Sequence, residues 1–254
     1  MKTIAIAGKG GTGKTTLSAL MVLALKEGGA TPILAVDADP NYNLGEALGM
    51  EVTETLGSTT EEVLDNKGKI PPGMTKASLL EMRMHQSVIE GKKIDLLVMG
   101  RPEGPGCYCF ANNLLRKALE ELSKNYRMVL IDNEAGMEHL SRRTTAKVDI
   151  LFLVSDHTIK GIRTAARLRD LAREMKIELK EVGLVVNMVE EELDPKAVKE
   201  IESLDLSLYG VVPKDPGVSR IYLDDEPIVG LGNDSPVKSA VKSLMEKTGY
   251  LNNV

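Results

Sequence analysis

Nine residues near the amino terminus carry the densest chemistry in the chain. Gly8-Lys9-Gly10-Gly11-Thr12-Gly13-Lys14-Thr15-Thr16 follows directly on the apolar run Thr3-Ile4-Ala5-Ile6-Ala7. From Gly8 to Thr15 the pattern G-x-x-x-x-G-K-[ST] is matched in full, between a predicted strand and a predicted helix, which is the context that gives it meaning. Such a loop turns successive backbone N–H groups onto a di- or triphosphate, and the following helix N-terminus adds partial positive charge. The expected phosphate cradle is Gly8, Gly10, Gly11, Thr12, Gly13, Lys14, Thr15 and Thr16. Lys14 would reach the β- and γ-phosphates, and the Thr15 hydroxyl would hold Mg²⁺. Lys9 is an extra cation that the cradle does not need in cis.

Carboxylates complete this reading. A second apolar run ends Ala35-Val36-Asp37-Ala38-Asp39-Pro40. Strand alternation sends Asp37 and Asp39 to one side, at the C-terminal strand end where open α/β sheets bind ligands. Asp39 is expected to orient an attacking water, and Asp37 to hold a Mg²⁺-bound water. Pro40 lacks an N–H and stops the strand. The alternative role for the two aspartates is to cap a helix at 41–48. Met128-Val129-Leu130-Ile131-Asp132 is four apolar residues closed by an acid, a Walker B pattern that puts Asp132 near Mg²⁺. Gly136, four residues on, lets that loop swing. Base recognition is expected from Asn187, whose amide offers donor and acceptor, and from Pro213, Lys214 and Asp215 at the same edge. A plain strand-end turn role for Asn187 is the alternative.

Cys107-Tyr108-Cys109 ends a glycine- and proline-rich stretch that follows the third strand. Cysteines at i and i+2 do not readily close a disulfide with each other. Two thiolates this close repel, and a soft cation relieves the repulsion: Zn²⁺, Cu⁺, Ni²⁺ or an iron–sulfur cluster. One chain supplies two sulfurs, whereas a dimer with this loop on its two-fold axis supplies four. Inert buried thiols or a redox pair are the alternatives.

Apolar strand-like runs alternating with helical patterns must position these groups. Predicted strands are 3–7, 32–37, 94–99, 127–132, 149–154, 182–187 and 209–212. Predicted helices are 14–28, 112–124, 159–175, 194–204 and 235–247. The alternation implies a mainly parallel sheet of about seven or eight strands with helices on both faces, an α/β fold. Residues 51–92 are polar, carry Pro71-Pro72-Gly73, and show no clear periodicity. At 254 residues and 43% hydrophobic content, one α/β domain over 1–254 is expected.

Composition narrows the function classes. A net charge of −5 and a pI near 5.4 disfavour general nucleic-acid binding. With no Trp and two Phe, base-stacking platforms are not expected. No apolar run approaches the roughly 20 residues that span a bilayer. The chain enters its first strand at once, leaving no room for a signal peptide. The expectation is a cytoplasmic protein with neither nucleic-acid nor membrane partner, and two cysteines suited to metal or redox chemistry.

Taken together, the loop, Asp37–Pro40, Asp132–Gly136 and Asn187 resemble the SIMIBI-class ATPases, which include the nitrogenase iron protein and the septum-site and partition ATPases. Lys9 resembles the first lysine of their deviant Walker A loop, K-G-G-x-G-K-[ST]. That resemblance implies a homodimer in which Lys9 reaches into the partner's ATP site and neutralises transition-state charge. Within the class, Gly104–Cys109, Asp132–His139 and Arg142-Arg143 resemble the CooC-type nickel-inserting maturation ATPases. This implies an ATP-hydrolysing metallochaperone with Lys9, Lys14 and Asp39 as catalytic residues. It would bind Ni²⁺, or Zn²⁺ in its place, through Cys107 and Cys109 across the dimer. Its client would be an apo-carbon monoxide dehydrogenase or acetyl-CoA synthase. In the iron protein the second cysteine follows Walker B; here that position is His139, which disfavours a reductase-type cluster. A partition or septum-positioning ATPase and an iron–sulfur reductase are the competing classes. The tail 235–247 reads as a core-packed helix, not a free membrane-binding one.

Overall fold

The computed structural model describes residues 1–59, 70–101, 108–135, 147–175 and 177–251, without the side chains of 76, 77 and 108–114. The elements run β1 (Lys2–Gly8), α1 (Lys14–Glu27), β2 (Ile33–Asp37), α2 (Leu44–Leu48), α3 (Lys76–Gln86), β3 (Val88–Ile89), β4 (Ile94–Val98), α4 (Tyr108–Leu122), β5 (Met128–Asp132), β6 (Lys147–Ser155), α5 (Ile159–Glu174), β7 (Glu178–Val189), α6 (Pro195–Ser203), β8 (Leu208–Pro213), α7 (Pro216–Leu223) and α8 (Pro236–Lys247). The strands form one eight-stranded sheet in the order β3-β4-β2-β5-β1-β6-β7-β8. All neighbouring strands pair in parallel except β3, which runs antiparallel to β4. The expected α/β architecture is therefore the one observed.

The strands read as unbroken apolar runs because both faces of the sheet are covered. Along β1, Ile4 and Ile6 enter one core with Leu20, Phe152, Val241 and Leu244, while Ala5 and Ala7 enter the other with Val36, Leu115, Leu151 and Ile162. Alternation thus sends successive residues of one strand into two separate cores. The layer formed by α1, α7 and α8 covers the first, and α4, α5 and α6 cover the second. Val237, Val241, Leu244 and Met245 of α8 are buried, so this terminal helix is core-packed, as its pattern predicts.

Several helices differ from the sequence reading. α4 begins at Tyr108, four residues before its predicted start. α3 lies inside the polar stretch 51–92, where Thr75 and Ser78 form a capping box. α7 was absent from the predicted elements, although Asp215 followed by Pro216 is a helix-start signal: the aspartate caps and the proline takes the first turn.

Candidate nucleotide-binding site

The sheet order decides which strand ends meet. β5 lies between β1 and β2, with Ile6 opposite Asp132 and Asp37 opposite Asp132. The glycine-rich loop leaving β1 therefore shares a sheet edge with both acids. Gly8 is required by close packing: a Cβ there would stand 2.3 Å from the Val154 carbonyl oxygen. Gly13 holds φ +81°, and a Cβ on it would meet the Asn187 amide at 2.5 Å, so only glycine fits. The loop is braced from within. Thr12 Oγ1 donates to the Lys9 carbonyl at 2.9 Å, and Lys14 Nζ approaches the same oxygen at 3.4 Å.

Lys14 is buried, and burial lowers its pKa against the opposing charges of Asp132, Asp39 and Glu134. Those three acids converge on one ammonium. Asp132 is 1% exposed, and its Oδ1 has no hydrogen-bond partner. Burial pushes its carboxyl up to about 6, while Thr15, Ser18 and Lys14 hold it down. A buried carboxylate oxygen left open beside the Thr15 hydroxyl is the donor set a hard divalent cation takes. The residues present therefore fit Mg²⁺.

Asp37 and Asp39 do not share an alternating strand, because β2 stops at Asp37. Asp37 is fully buried. Its Oδ1 accepts from Asp39 N at 3.1 Å and its Oδ2 from Leu44 N, the first residue of α2, at 2.8 Å. Both oxygens accept backbone N–H groups, and the bond from Leu44 ties the start of α2 to the end of β2. Burial and the neighbouring Asp132 push its carboxyl up to about 7. Asp39 is partly exposed, its Oδ1 accepting from Asn41 N at 2.8 Å, and it faces Lys14 and Asp132. Lys9 is exposed on the loop surface.

The base-side residues are more occupied than their sequence suggests. The Asn187 amide donates to the Thr12 carbonyl at 2.9 Å, so it locks the phosphate loop. Asp215 caps α7 through Gly217 N and accepts from Ser235 Oγ at 2.6 Å, leaving neither oxygen free. Pro213 ends β8, and Lys214 pairs with Glu190 at 2.8 Å. Tyr222 was not foreseen. It comes from the C-terminal end of α7, 206 residues along the chain, and its hydroxyl is hydrogen-bonded to Thr16 Oγ1 at 2.6 Å. No local motif marks it.

Cys107, Gly136, His139, Arg142 and Arg143 lie outside the described residues. Cys109 lies in the first turn of α4. Among the described residues, no helix is long and apolar enough to cross a membrane.

Residues 3–228 match the family model for the CobQ/CobB/MinD/ParA nucleotide binding domain. The chain is 42% identical over 246 residues to an uncharacterised ATP-binding protein of Methanocaldococcus jannaschii, covering 96% of this chain and 97% of the relative. It is 30% identical over 262 residues to the carbon monoxide dehydrogenase accessory protein CooC of Rhodospirillum rubrum, covering 97% of each. Among solved structures, the septum site-determining protein MinD of Pyrococcus horikoshii, complexed with Mg-ADP, aligns with a TM-score of 0.73 at 22% identity. That alignment covers 99% of this chain and 97% of the MinD chain. At that identity the likeness concerns the fold alone.

Proposed function

The chain belongs to the CobQ/CobB/MinD/ParA nucleotide-binding family and is a P-loop ATPase, and from that premise we propose that it is a homodimeric metallochaperone. It hydrolyses ATP and delivers a soft divalent metal, nickel in the first instance, to the apo-cluster of a carbon monoxide dehydrogenase or acetyl-CoA synthase. The likeness to CooC over nearly the whole of both chains supports the client class.

In this reading the loop N–H groups and Lys14 hold the β- and γ-phosphates. Thr15 and Asp132 hold Mg²⁺, which when bound offsets phosphate charge. Asp39 accepts a hydrogen bond from water and aims its oxygen at Pγ. As the new O–Pγ bond forms, the bridging bond to the β-phosphate breaks. One of the water's protons stays on the transferred oxygen as a phosphate hydroxyl, the other passes to a second oxygen of the released phosphate, and the charge gained by ADP falls to Lys14 and the cradle N–H groups. Lys9 acts in the partner's site, where it meets charge that develops only in the transition state.

Cargo binding falls to Cys107 and Cys109, four thiolates per dimer, with Ni²⁺ or Zn²⁺ as the ion carried. One observation carries this half of the reading. The connection that ends in Cys107-Tyr108-Cys109 starts by bonding the segment after Asp37: Met99 N donates to the Asp37 carbonyl at 2.9 Å, and Arg101 Nη2 to Asn41 Oδ1 at 2.7 Å. A change at Asp39 thus reaches Arg101 through Asn41 by two hydrogen bonds, and Arg101 stands six residues before Cys107 in the sequence.

The test is an anaerobic Ni²⁺ and Zn²⁺ titration of the wild type and of the Cys107→Ser/Cys109→Ser double variant, with and without ATP. The wild type should bind one thiolate-ligated ion per dimer, and the double variant should lose that ion but keep ATP. Unchanged thiolate-type binding in the double variant would sink the cargo reading, and sedimentation with liposomes or DNA would then test a positioning ATPase.

A further inference from the structure

A second cluster of metal-ligating side chains lies away from the nucleotide edge, between α3 and α4. Glu81 and His85 stand one helical turn apart on α3, the spacing that puts two side chains on one face. Glu121, in the last turn of α4, faces them. One ligand atom from each of the three lies within 4.8 Å of the others.

The detail that points to a ligand is the geometry between His85 and Glu121. Their Nε2 and Oε2 atoms are 3.6 Å apart, too far for a good hydrogen bond. That Glu121 oxygen is buried and has no hydrogen-bond partner. Two ligands held about 2.1 Å from one ion at a tetrahedral angle stand about 3.4 Å apart. The gap therefore has the width of one edge of a coordination tetrahedron, and its buried oxygen lacks the donor it needs. Glu81 is exposed on a flexible stem and can close the third position.

We infer that Glu81, His85 and Glu121 form a divalent transition-metal site of one imidazole and two carboxylates, its remaining position taken by water. One nitrogen and two oxygens suit Zn²⁺, Ni²⁺ or Co²⁺ and do not discriminate strongly between them. The side chains of His85 and Glu121 are about half exposed, so ions exchange readily. Occupancy pins α3 against α4, the helix whose first turn carries Cys109. The inference stands independently of the cysteine reading, because it uses none of the same ligands.

The test uses the full-length chain carrying Cys107→Ser and Cys109→Ser, titrated with Co²⁺ alone and with Zn²⁺ alone. One ion per chain should bind, with a Co²⁺ spectrum lacking any thiolate charge-transfer band. Adding His85→Asn should weaken binding at least tenfold, whereas adding His157→Asn, at another of the three histidines, should not. Zn²⁺ should also slow amide hydrogen exchange across 76–86, and His85→Asn should remove that protection. Absence of binding in the double-cysteine background would overturn the site, as would His85→Asn binding unchanged or His157→Asn weakening it equally. None of these outcomes bears on whether the wild-type thiols carry cargo, which the thiolate charge-transfer band reports separately.

Discussion

Arg101 Nη2 donates to Asn41 Oδ1 at 2.7 Å, and Asn41 N in turn donates to Asp39 Oδ1 at 2.8 Å. These two bonds join Asp39, proposed to aim the attacking water, to the connection that leads into Cys107. Arg101→Ala should leave ATP turnover within about fivefold of wild type, since a hydrogen bond at an exposed site contributes only about 1 kcal/mol. It should, however, reduce the change in metal affinity that ATP causes. By linkage, the metal's effect on ATP affinity should shrink by the same factor. Metal titrations at saturating ATP and ADP read this directly. A variant with full coupling would show that the signal travels elsewhere.

The pair Asp37 and Asp132 makes the nucleotide edge sensitive to pH. Both carboxyls are raised, to about 7 and about 6, first by burial. The folded chain therefore holds protons that the unfolded chain has already released above its ordinary value near 4. Their contribution to stability is complete below about 4, is lost progressively as pH rises from there through about 6 to 7, and is gone above that. Asp132→Asn removes one of the two charges and relieves the other. In urea melts without nucleotide or Mg²⁺, its advantage over wild type should grow from pH 5 to pH 8 and reach on the order of 1–2 kcal/mol. A constant difference across that range would contradict the proposed coupling.

How much of this was legible in the sequence follows from the length of each signal. The strands were readable because β1, β2, β5 and β6 are buried on both faces and so run apolar without interruption. The phosphate loop was readable because its glycines answer local constraints: Gly13 must hold positive φ and Gly8 must touch β6. A short helix such as α7 falls below what periodicity can register, although its Asp215-Pro216 start is present in the sequence. Side-chain partnerships formed across the fold left no local trace. Asp215 meeting Ser235, Asn187 meeting Thr12, and Tyr222 meeting Thr16 each depend on the strand order.

Asp149 tests the opposite edge of the sheet, far from any proposed chemistry. It is nearly buried, accepts from Thr3 N at 2.8 Å, and pairs with Lys2 and Lys180. Burial alone would raise its carboxyl, but the Lys180 and Thr3 hydrogen bonds and the lysine charges lower it overall. Its stabilisation is therefore present above the ordinary carboxylate range and lost as pH falls below it. Asp149→Asn keeps one acceptor for Thr3 N but loses the charge. Near pH 7 it should destabilise the chain by about 1–2 kcal/mol, discounted because both lysines are half exposed. That deficit should shrink as pH falls below about 4, the ordinary carboxylate value, and ATP affinity should not change.

Tyr222 bonds a residue of the phosphate cradle without belonging to the loop. Its hydroxyl orients Thr16 Oγ1, and burial raises its pKa, so it remains a neutral phenol at working pH. Tyr222→Phe should raise the KM for ATP by roughly three- to tenfold, the equivalent of one hydrogen bond, with kcat little changed. Uniform binding is lost, not transition-state binding. A fall in kcat at unchanged KM would place Tyr222 in the chemical step instead.

The exposure of Lys9 leaves it free to serve a second subunit, and mixing variants can decide the point. Lys9→Ala should retain most ATP affinity, because Lys14 and the backbone hold the phosphates. It should lose hydrolysis by on the order of 10²-fold, the effect of removing a contact made only in the transition state. Asp39→Ala should likewise bind ATP and fail to turn it over. If Lys9 acts in trans, a dimer of one Lys9→Ala and one Asp39→Ala subunit has one complete site: an intact Asp39 faced by the partner's intact lysine. Its other site lacks both. Mixing the two inactive proteins should therefore restore activity, up to about half the wild-type rate for each mixed dimer, if the two sites turn over independently. If Lys9 acts in cis, each site in the mixed dimer lacks one essential group and the mixture stays inactive. Mass analysis showing that mixed dimers form, together with no recovered turnover, would return Lys9 to its own subunit's site.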